Sequence, residues 1–335
     1  MGGCPIITLA CRAYDRTLPA VRGKVKAPGL DLRVVETTSV PQMFGGLVKG
    51  EYDVAEFSMA ELVYSVSREE NQFVAIPVFP LRMFRHSFIF CNTDAGIDGP
   101  DDLDGKRIGF YKLAQTACVW IRGILVEEYN LSPRNTQWYT AAIHNWDDPT
   151  LTKEVNTRDG SVIRWLEGDG VELDQRPNQA LVEGKIDALG GASPPRSFLD
   201  GDKRVKRVIE NYREVEAAYF KRTGIFPIMH ALVARKSVVD EHPDLPEKLF
   251  YLFVEAKKMA RQWLMIDGTL SLAWNQYYLA EEKRLFRQDP WTYGLEHNSH
   301  VIDKFLTYCY DLGVCESKLN PRDLFHPSTW ELRDS

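Results

Sequence analysis

Three cationic side chains in the segment 77–87 have the types and spacing to bind an acidic ligand. Arg82, Arg85 and His86 stand three and four positions apart, so they would share a face on a helical turn but not in an extended strand. Guanidinium groups bind carboxylates through paired hydrogen bonds, which predicts a carboxylate pocket here. Ordinary ion pairs with surface acids are the alternative. Pro77 and Pro80 stiffen the segment without deciding between these geometries.

His230 is the second candidate for chemistry, in the apolar, strand-like run 226–234. A lone histidine in such a run is more often a hydrogen-bonded core residue than a catalyst. Its predicted place on a strand that returns between two lobes, opposite His86, favours catalysis instead. Two imidazoles there would act as general acid and base near neutral pH, in an order that the sequence leaves open.

Polar residues that follow predicted strands complete the candidate site, since ligands in open α/β sheets bind beyond strand ends. Roles in turns and helix caps are the alternative, and Thr116 in particular is expected to cap the helix that carries Arg122. The glycines of the loop 190–196 would let the backbone approach a ligand. The predicted substrate-binding residues are Tyr14, Arg16, Glu56, Ser58, Tyr111, Thr116, Arg122, Ser193, Arg196 and Phe226.

The sequence carries no motif for a cofactor or a metal. No Gly-Lys-Ser/Thr follows the glycine loop, and neither Gly-x-Ser-x-Gly nor His-Glu-x-x-His occurs. The six cysteines form no Cys-x-x-Cys pair, which indicates reduced thiols. His297 and His300 could bind a metal as a pair, although a surface loop rich in aromatic residues is favoured. We therefore predict no cofactor and leave a divalent metal open.

Strand-like runs alternate with helical runs through the first two-thirds of the chain, which predicts an α/β fold with a mixed sheet in each lobe. The predicted strands are Ile6–Ala10, Leu32–Glu36, Val54–Phe57, Ser87–Cys91, Arg107–Phe110, Thr136–Tyr139, Ile186–Leu189 and Ala231–Ala234. The predicted helices between them include Pro41–Lys49, Gln115–Tyr129 and Asn178–Glu183. The last third has apolar residues at i, i+3 and i+4 and is predicted to be mostly helical.

A short internal echo indicates two similar lobes. Leu47–Ala55 and Leu181–Ala188 each combine a helix end, a glycine suited to positive φ and a buried strand. We predict a first lobe from residues 1–90 and 229–335 and a second lobe from residues 91–228. A ligand cleft would lie between them, with the crossover strands at its floor.

Length and charge limit the class of protein. With 335 residues, 44% hydrophobic and 26% charged, the chain can bury the cores of about two domains. The net charge of −6 argues against a nucleic acid or an anionic membrane as the main partner. No apolar run reaches membrane-spanning length, and the N-terminus does not resemble a signal peptide, so we expect a cytoplasmic protein. A homo-oligomer is left open.

Several segments, taken together, are specific enough to suggest a family. They are Tyr14–Thr17, Asp53–Glu56, Phe73–Pro80, Arg82–Ser87, Val119–Leu125, Arg222–His230 and Trp291–Glu296. They resemble the 4,5-dihydroxyphthalate decarboxylase family, which is similar in fold to the type II periplasmic-binding-protein superfamily. The chain departs from the family pattern at Ser193. In the family an arginine stands at this place, directly before the paired prolines, and Arg196 after the prolines is a candidate substitute. The stretch 141–175 also differs and is expected to be an altered loop.

The resemblance implies that one carboxylate is removed from a hydroxylated aromatic dicarboxylate, giving a dihydroxybenzoate and carbon dioxide. Arg82 and Arg85 would hold the retained carboxylate, and His86 and His230 would serve as acid and base. A non-catalytic solute-binding protein for a small aromatic acid is the alternative, although such proteins must be exported. A precursor-synthesis enzyme of the thiamine-pyrimidine type is less favoured, because that family's cysteine-rich motif is missing.

Overall fold

The computed structural model describes residues 5–142, 154–167, 171–172, 174–266, 268 and 270–334. The strands are β1 (Ile6–Cys11), β2 (Asp31–Glu36), β3 (Val54–Ser58), β4 (Phe73–Arg82), β5 (Ile89–Asn92), β6 (Arg107–Phe110), β7 (Gln137–Thr140), β8 (Glu154–Asn156), β9 (Val162–Trp165), β10 (Ala188–Gly190), β11 (Val205–Arg207) and β12 (Ile228–Arg235). The predicted strands are all present with slightly shifted ends, whereas β4, β8, β9 and β11 were not predicted.

The helices include those predicted from the sequence. They are α1 (Leu18–Val21), α2 (Val40–Lys49), α3 (Met59–Val66), α4 (Thr116–Glu128), α5 (Arg176–Val182), α6 (Arg196–Leu199), α7 (Tyr212–Thr223), α8 (Lys236–Glu241), α9 (Leu245–Leu264), α10 (Asn275–Phe286), α11 (Leu295–Leu312) and α12 (Pro321–Leu324). Within the described ranges, no helix is long and apolar enough to span a membrane.

The chain folds as two compact units. The first unit comprises residues 1–82, 228–303 and 319–335, and the second comprises residues 83–227 and 304–318. Residues 83–90 and 304–318, which the sequence analysis assigned to the first lobe, therefore group with the second unit. The ligand cleft between the lobes stays a prediction.

The first unit is built on a mixed sheet with the strand order β2-β1-β3-β12-β4. Strand β1 runs parallel to β2 and β3, whereas β12 runs antiparallel to β3 and β4. The central strands β3 and β12 are almost entirely buried, as expected for strands covered on both faces. This buried centre is where two strands of distant sequence can present polar side chains to each other.

Strand β4 has one strand neighbour, β12, and contains Pro77 and Pro80. Proline lacks a backbone N–H, so it is tolerated in a strand mainly at a sheet edge. The C-terminal segment covers the other side of β4, where Gly294 N donates to Pro77 O at 2.8 Å and His326 N donates to Ala75 O at 2.9 Å. The segment 77–82 is therefore extended. Arg82 ends this strand, Arg85 lies beyond it and His86 begins a short 3-10 turn, so the three cations do not share one helical turn.

The second unit is built on a sheet with the strand order β11-β5-β10-β6-β7-β9-β8. Strands β10, β6, β7 and β9 are parallel, and antiparallel pairs flank them. Part of the stretch 141–175 forms β8 and β9, so the expectation of a loop there is wrong for these residues. Residues 143–153, 168–170 and 173 lie outside the described residues, as does Cys4. The other five cysteines are free and buried.

The internal echo is confirmed by matching local structure in both units. Gly50 directly follows α2 with φ 77°, and Gly184 stands two residues after the end of α5 with φ 68°, so a left-handed glycine follows both helices. Asp53 then accepts the backbone N–H of Thr8 at 2.8 Å, and Asp187 accepts that of Arg107 at 2.8 Å. The same helix–glycine–aspartate–strand motif is thus hydrogen-bonded to a neighbouring strand in each sheet.

Candidate active site

Glu56 is a fully buried carboxylate on β3 and the centre of the candidate site in the first unit. Its Oε1 lies 2.6 Å from His230 Nδ1 and accepts the Tyr14 hydroxyl at 2.7 Å, and its Oε2 accepts the Arg12 backbone N–H at 3.3 Å. Burial alone would raise the pKa of this carboxyl, but the hydrogen bonds from His230, Tyr14 and Arg12 outweigh it, and the pKa is lowered. Glu56 is therefore charged at neutral pH.

The pairing of β3 with β12 brings Glu56 and His230 together. In this antiparallel ladder His230 stands opposite Ser58, and Glu56 stands opposite Leu232. Glu56 and His230 are therefore diagonal neighbours on one face of the sheet. Ser58 serves as the N-cap of α3, where its side chain accepts the backbone N–H of Glu61 at 3.5 Å.

His230 is held in one tautomer by Glu56. Its Nδ1 is the atom within hydrogen-bond distance of the carboxylate, so in the neutral imidazole Nδ1 carries the proton and Nε2 the lone pair. The side chain is 12% exposed, and the ring of Phe44 meets it edge to face at 5.3 Å. An imidazole oriented in this way can accept a proton at Nε2 while the carboxylate stabilises the resulting imidazolium.

Two arginines flank Tyr14 beside this pair. Arg12 Nη1 lies 3.5 Å from the Tyr14 hydroxyl oxygen, and the Arg16 guanidinium lies 4.5 Å from the centre of the Tyr14 ring. Arg16 also stacks on Trp291 at 3.6 Å and donates through Nε to Pro80 O at 2.8 Å. Burial and the charge of Glu56 raise the pKa of Tyr14, so its hydroxyl stays protonated and donates to Glu56. Sequence reasoning missed Arg12, although its place directly after β1 was a usable signal.

Arg82 ends β4 and is buried in the first unit. Its Nη2 donates to Thr292 O at 2.8 Å and to the side-chain oxygen of Asn298. Burial lowers the pKa of Arg82 to about 10. These partners are a carbonyl and an amide rather than surface acids, and the predicted contact with a substrate carboxylate stays a prediction.

In the second unit, Arg85 and Tyr111 gather with the glycine loop at the ends of β6 and β10. These two strands are adjacent and parallel, so the residues that follow them meet at one edge. Arg85 is buried and donates through Nη1 to Ala192 O at 3.1 Å, and burial lowers its pKa to about 10. A Cβ atom on Gly191 would lie 2.9 Å from the Tyr111 ring, so only glycine allows this packing.

Three other predicted residues of the second unit lie near this edge in different roles. Ser193 is exposed, and Arg196 has an 80% exposed side chain that pairs with Asp200 at 2.8 Å. Thr116 is buried as the first residue of α4, whose N-cap is Gln115. The expectation that Thr116 caps the helix is therefore wrong by one position, because the chain is still extended at Gln115.

His86 lies in a short 3-10 turn, His86–Phe88, of the second unit and is 1% exposed. Its ring meets that of Tyr219 at 5.0 Å, and its Nδ1 has no hydrogen-bond partner among the described residues. Burial, together with the charge of Arg222, lowers the pKa of His86 to about 4. His86 is therefore neutral at neutral pH. It belongs to one unit and His230 to the other, so their pairing as acid and base stays a prediction.

Arg122 and Phe226 have structural partners in the second unit. Arg122 is buried on α4, where Nη2 pairs with Asp159 Oδ2 at 2.5 Å and also contacts Ser161. It lines a cavity of about 300 Å³ between α4 and α11. Phe226 packs its ring on Phe84 at 4.8 Å.

Across the described residues, no group of three or more His, Cys, Asp or Glu side chains is placed to hold a metal ion. His297 and His300 are exposed in the first two turns of α11. They therefore lie on the surface of a helix, and not in the surface loop that the sequence analysis favoured.

Comparison with solved structures shows the fold. The chain is similar to the aliphatic sulphonate binding protein SsuA of Escherichia coli, with a TM-score of 0.54, 13% identity, and coverage of 98% of this chain and 99% of that one. It is also similar to the alkanesulfonate-binding protein SsuA of Xanthomonas axonopodis, with a TM-score of 0.52, 12% identity, and coverage of 97% and 99%. The fold is thus that of periplasmic binding proteins, as predicted.

Comparison with curated proteins shows the family. No protein-family model matches the chain. A relative from Comamonas testosteroni named 4,5-dihydroxyphthalate decarboxylase is 32% identical over 332 residues, which cover 97% of each chain. A relative of the same name from Pseudomonas putida is 28% identical over 212 residues, covering 63% of this chain and 79% of that one. The chain therefore belongs to the 4,5-dihydroxyphthalate decarboxylase family and is a carboxy-lyase.

Proposed function

We propose that this protein decarboxylates a hydroxylated aromatic dicarboxylate of the 4,5-dihydroxyphthalate kind, without an organic cofactor, giving a dihydroxybenzoate and carbon dioxide. The observation that carries the proposal is the 32% identity over 97% of the chain with a relative named for that reaction. The buried pair of His230 and Glu56 supports a mechanism that begins with proton transfer.

The chemistry requires a route around an unstable aryl anion. If the carboxylate left first, the electron pair would stay in the plane of the ring, where the π system cannot stabilise it. Removal of the proton from the para hydroxyl instead pushes electrons into the ring, so that the carbon bearing the carboxylate accepts a proton. The C–C bond then breaks, carbon dioxide leaves, and its bonding electrons restore the aromatic ring and the phenolate.

His230 is the group we assign to the para hydroxyl. Its Nε2 accepts the phenolic proton, and Glu56 on the opposite side of the ring stabilises the imidazolium that forms. A base in this position is typically worth about 10²–10⁴-fold in rate. Glu56 does not contact the substrate in this scheme, so it is a positioning residue. The sequence leaves open which of His86 and His230 is the acid. With His230 as the base, the role of ring-proton donor falls to His86, which must first take up a proton because burial keeps it neutral.

Arginines supply the charge that holds the substrate. Arg12 and Arg16 flank Tyr14, which connects them to Glu56 and so to the base. Arg16 already donates to a backbone carbonyl and stacks on Trp291, so the half-buried Arg12 is the stronger candidate for a carboxylate contact. Arg82 and Arg85 remain proposed carboxylate ligands from the sequence, as do Tyr111, Ser193, Arg196 and the other predicted contacts.

The experiment is an assay of carbon dioxide release with a panel of hydroxylated phthalates, each with and without a chelator. We expect release from substrates with a hydroxyl para to a carboxylate, and a loss of at least about 100-fold in kcat for His230→Gln. Calorimetry with the same compounds separates the two candidate functions. Tight binding of an aromatic acid without release of carbon dioxide would contradict the proposal and favour a solute-binding protein.

A further inference from the structure

The Arg16 guanidinium contacts two aromatic rings of the first unit. It lies 3.6 Å from the centre of the Trp291 ring and 4.5 Å from the centre of the Tyr14 ring. Arg16 is 9% exposed, so both contacts are largely shielded from water. Cation–π contacts are stronger where the cation has lost its water. Arg16 therefore connects Trp291 to Tyr14.

The turn between α10 and α11, which carries Trp291, is held in place by a buried lysine. Lys257 of α9 is 3% exposed, donates to Trp291 O at 3.0 Å and pairs with Asp289 Oδ2 at 2.6 Å. It also pairs with Asp334, which accepts the backbone N–H of Tyr293 at 2.9 Å. Desolvation offsets much of the attraction in a buried ion pair, so the main effect of this one is to fix the backbone around Trp291.

Tyr14 connects Arg16 to the proposed base. Its hydroxyl donates to Glu56 Oε1 at 2.7 Å, and the same oxygen lies 2.6 Å from His230 Nδ1. Because Arg16 lies against the Tyr14 ring, it restricts the tilt of that ring and the position of the hydroxyl. A displacement of about 1 Å in a catalytic group can cost as much as about 100-fold in rate.

We propose that Trp291 is a positioning residue, which holds Arg16 against Tyr14 and so keeps the catalytic pair aligned. That pair is Glu56 with His230, and the inference rests on the proposed function, because proton transfer is what the pair would carry out. Trp291 does not touch the reacting atoms in this scheme. Its loss should therefore slow the reaction rather than weaken the binding of the substrate.

Steady-state decarboxylation kinetics of two Trp291 variants test the proposal. Trp291→Leu removes the ring and should lower kcat about 10–100-fold, with KM within about threefold of wild type. Trp291→Phe keeps a ring for the cation and should hold kcat within about threefold of wild type. Trp330→Leu is the matched control, since Trp330 is a half-buried tryptophan of the same unit that lies 4.8 Å from Arg322. It should leave kcat unchanged.

A double-mutant cycle shows whether Trp291 acts through Tyr14. Tyr14→Phe removes the hydroxyl that the contacts of Arg16 hold in place. In that background, Trp291→Leu should cost less than about threefold more in kcat, because the two residues act in one series.

Chemical labelling tests the contact without any substrate. Phenylglyoxal modifies guanidinium groups, and mass spectrometry locates the modified residues. Arg16 should react about 3–10-fold faster in Trp291→Leu than in the wild type, as expected for the loss of a cation–π contact. Arg22 is the internal reference, because its side chain is 60% exposed in the same unit.

The outcomes separate this inference from the proposed function. Unchanged labelling of Arg16 in a folded Trp291→Leu protein would overturn the contact, whether or not the enzyme is active. Faster labelling with an unchanged kcat, or a full further loss in the Tyr14→Phe background, would overturn the positioning role. A wild type that releases no carbon dioxide from any hydroxylated phthalate would overturn the proposed function and the kinetic role of Trp291, while labelling would still report the contact.

Discussion

Glu56 is a buried charge, and such a group is tolerated only where hydrogen bonds replace the water it has lost. Four donors do so here, namely the Tyr14 hydroxyl, the Arg12 backbone N–H, His230 and the Cys11 thiol. With the carboxylate satisfied and charged, the imidazole is fixed in both tautomer and orientation. Glu56 and His230 therefore act together, and a substitution of Glu56 should impair the rate of the reaction more than the binding of the substrate.

Glu56→Gln is expected to lower kcat by about 10²–10⁴-fold with little change in KM, because the base and not the binding is impaired. A glutamine amide can donate to Nδ1, which moves the proton to Nε2 and removes the acceptor. Steady-state kinetics against pH check this, with Glu51→Gln as the matched control on the exposed turn before β3. A Glu56→Gln enzyme with kcat within about threefold of wild type would remove Glu56 from the mechanism.

His86 should make the folded state sensitive to acid. Its folded pKa is about 4, below the ordinary 6.5, so the unfolded chain binds the proton first as pH falls. Above pH 6.5 the residue contributes no pH dependence, and between pH 6.5 and 4 it removes up to about 3 kcal/mol of stability.

The variant His86→Phe keeps an aromatic ring against Tyr219. Its free energy of unfolding should therefore fall less steeply between pH 6.5 and 4 than that of the wild type. Urea unfolding at several pH values measures it, and the exposed His297→Phe serves as the control. If the free energy of unfolding depends on pH identically in the wild type and in His86→Phe, the imidazole is not held neutral by burial.

At the scale of elements, Gly50 is where a helix ends in a left-handed residue, and an alanine there is strained. Gly50→Ala should cost about 1–2 kcal/mol, since φ is 77° and the new Cβ would also meet Arg235 at 2.8 Å. Gly45→Ala within the same helix α2 is the matched control, with open space around its Cβ, and should stabilise by about 0.5–1 kcal/mol. Thermal unfolding measures both, and equal effects would refute the role of the left-handed turn.

Elements with a local signal were predictable. The echo of α2 and α5 was visible because a helix end, a glycine and an aspartate sit within a few residues of one another. Strand β4 was not predicted, since its two prolines argue against a strand unless the sheet edge is known. The residues that cover this edge, Gly294 and His326, lie more than two hundred positions further along the chain, so no local sequence pattern could reveal them.

The candidate site was predictable in part for the same reason. The rule that residues after strand ends gather found Tyr14 and Arg16. Glu56 was expected after a strand but lies inside β3, where the pairing with β12 joins it to His230. This rule predicts where residues lie but not which side chains they contact. It therefore did not anticipate that Arg122 would pair with Asp159, which lies on the turn between two unpredicted strands.

At the scale of the whole molecule, the C-terminal segment closes the first unit over β4. Phe325 is 2% exposed, meets Phe79 edge to face at 6.0 Å and bridges Ala75. Phe325→Ala should therefore lower the free energy of unfolding by about 3–5 kcal/mol. Glu331→Ala, an exposed position in the same segment, should change it by less than about 0.5 kcal/mol. Urea denaturation compares the two, and a Phe325→Ala protein as stable as its control would show that the segment does not hold the sheet.

The interleaving of the two units has a consequence for how the protein is made. Residues 304–318 belong to one unit and residues 319–335 to the other, so each unit lacks a piece until these residues have been synthesised. While the ribosome is still at work, β4 exposes a bare edge and the apolar face meant for α11 is open. Such nascent surfaces are the ones that chaperones bind. Either unit can therefore complete its fold only once residues 304–335 have been synthesised.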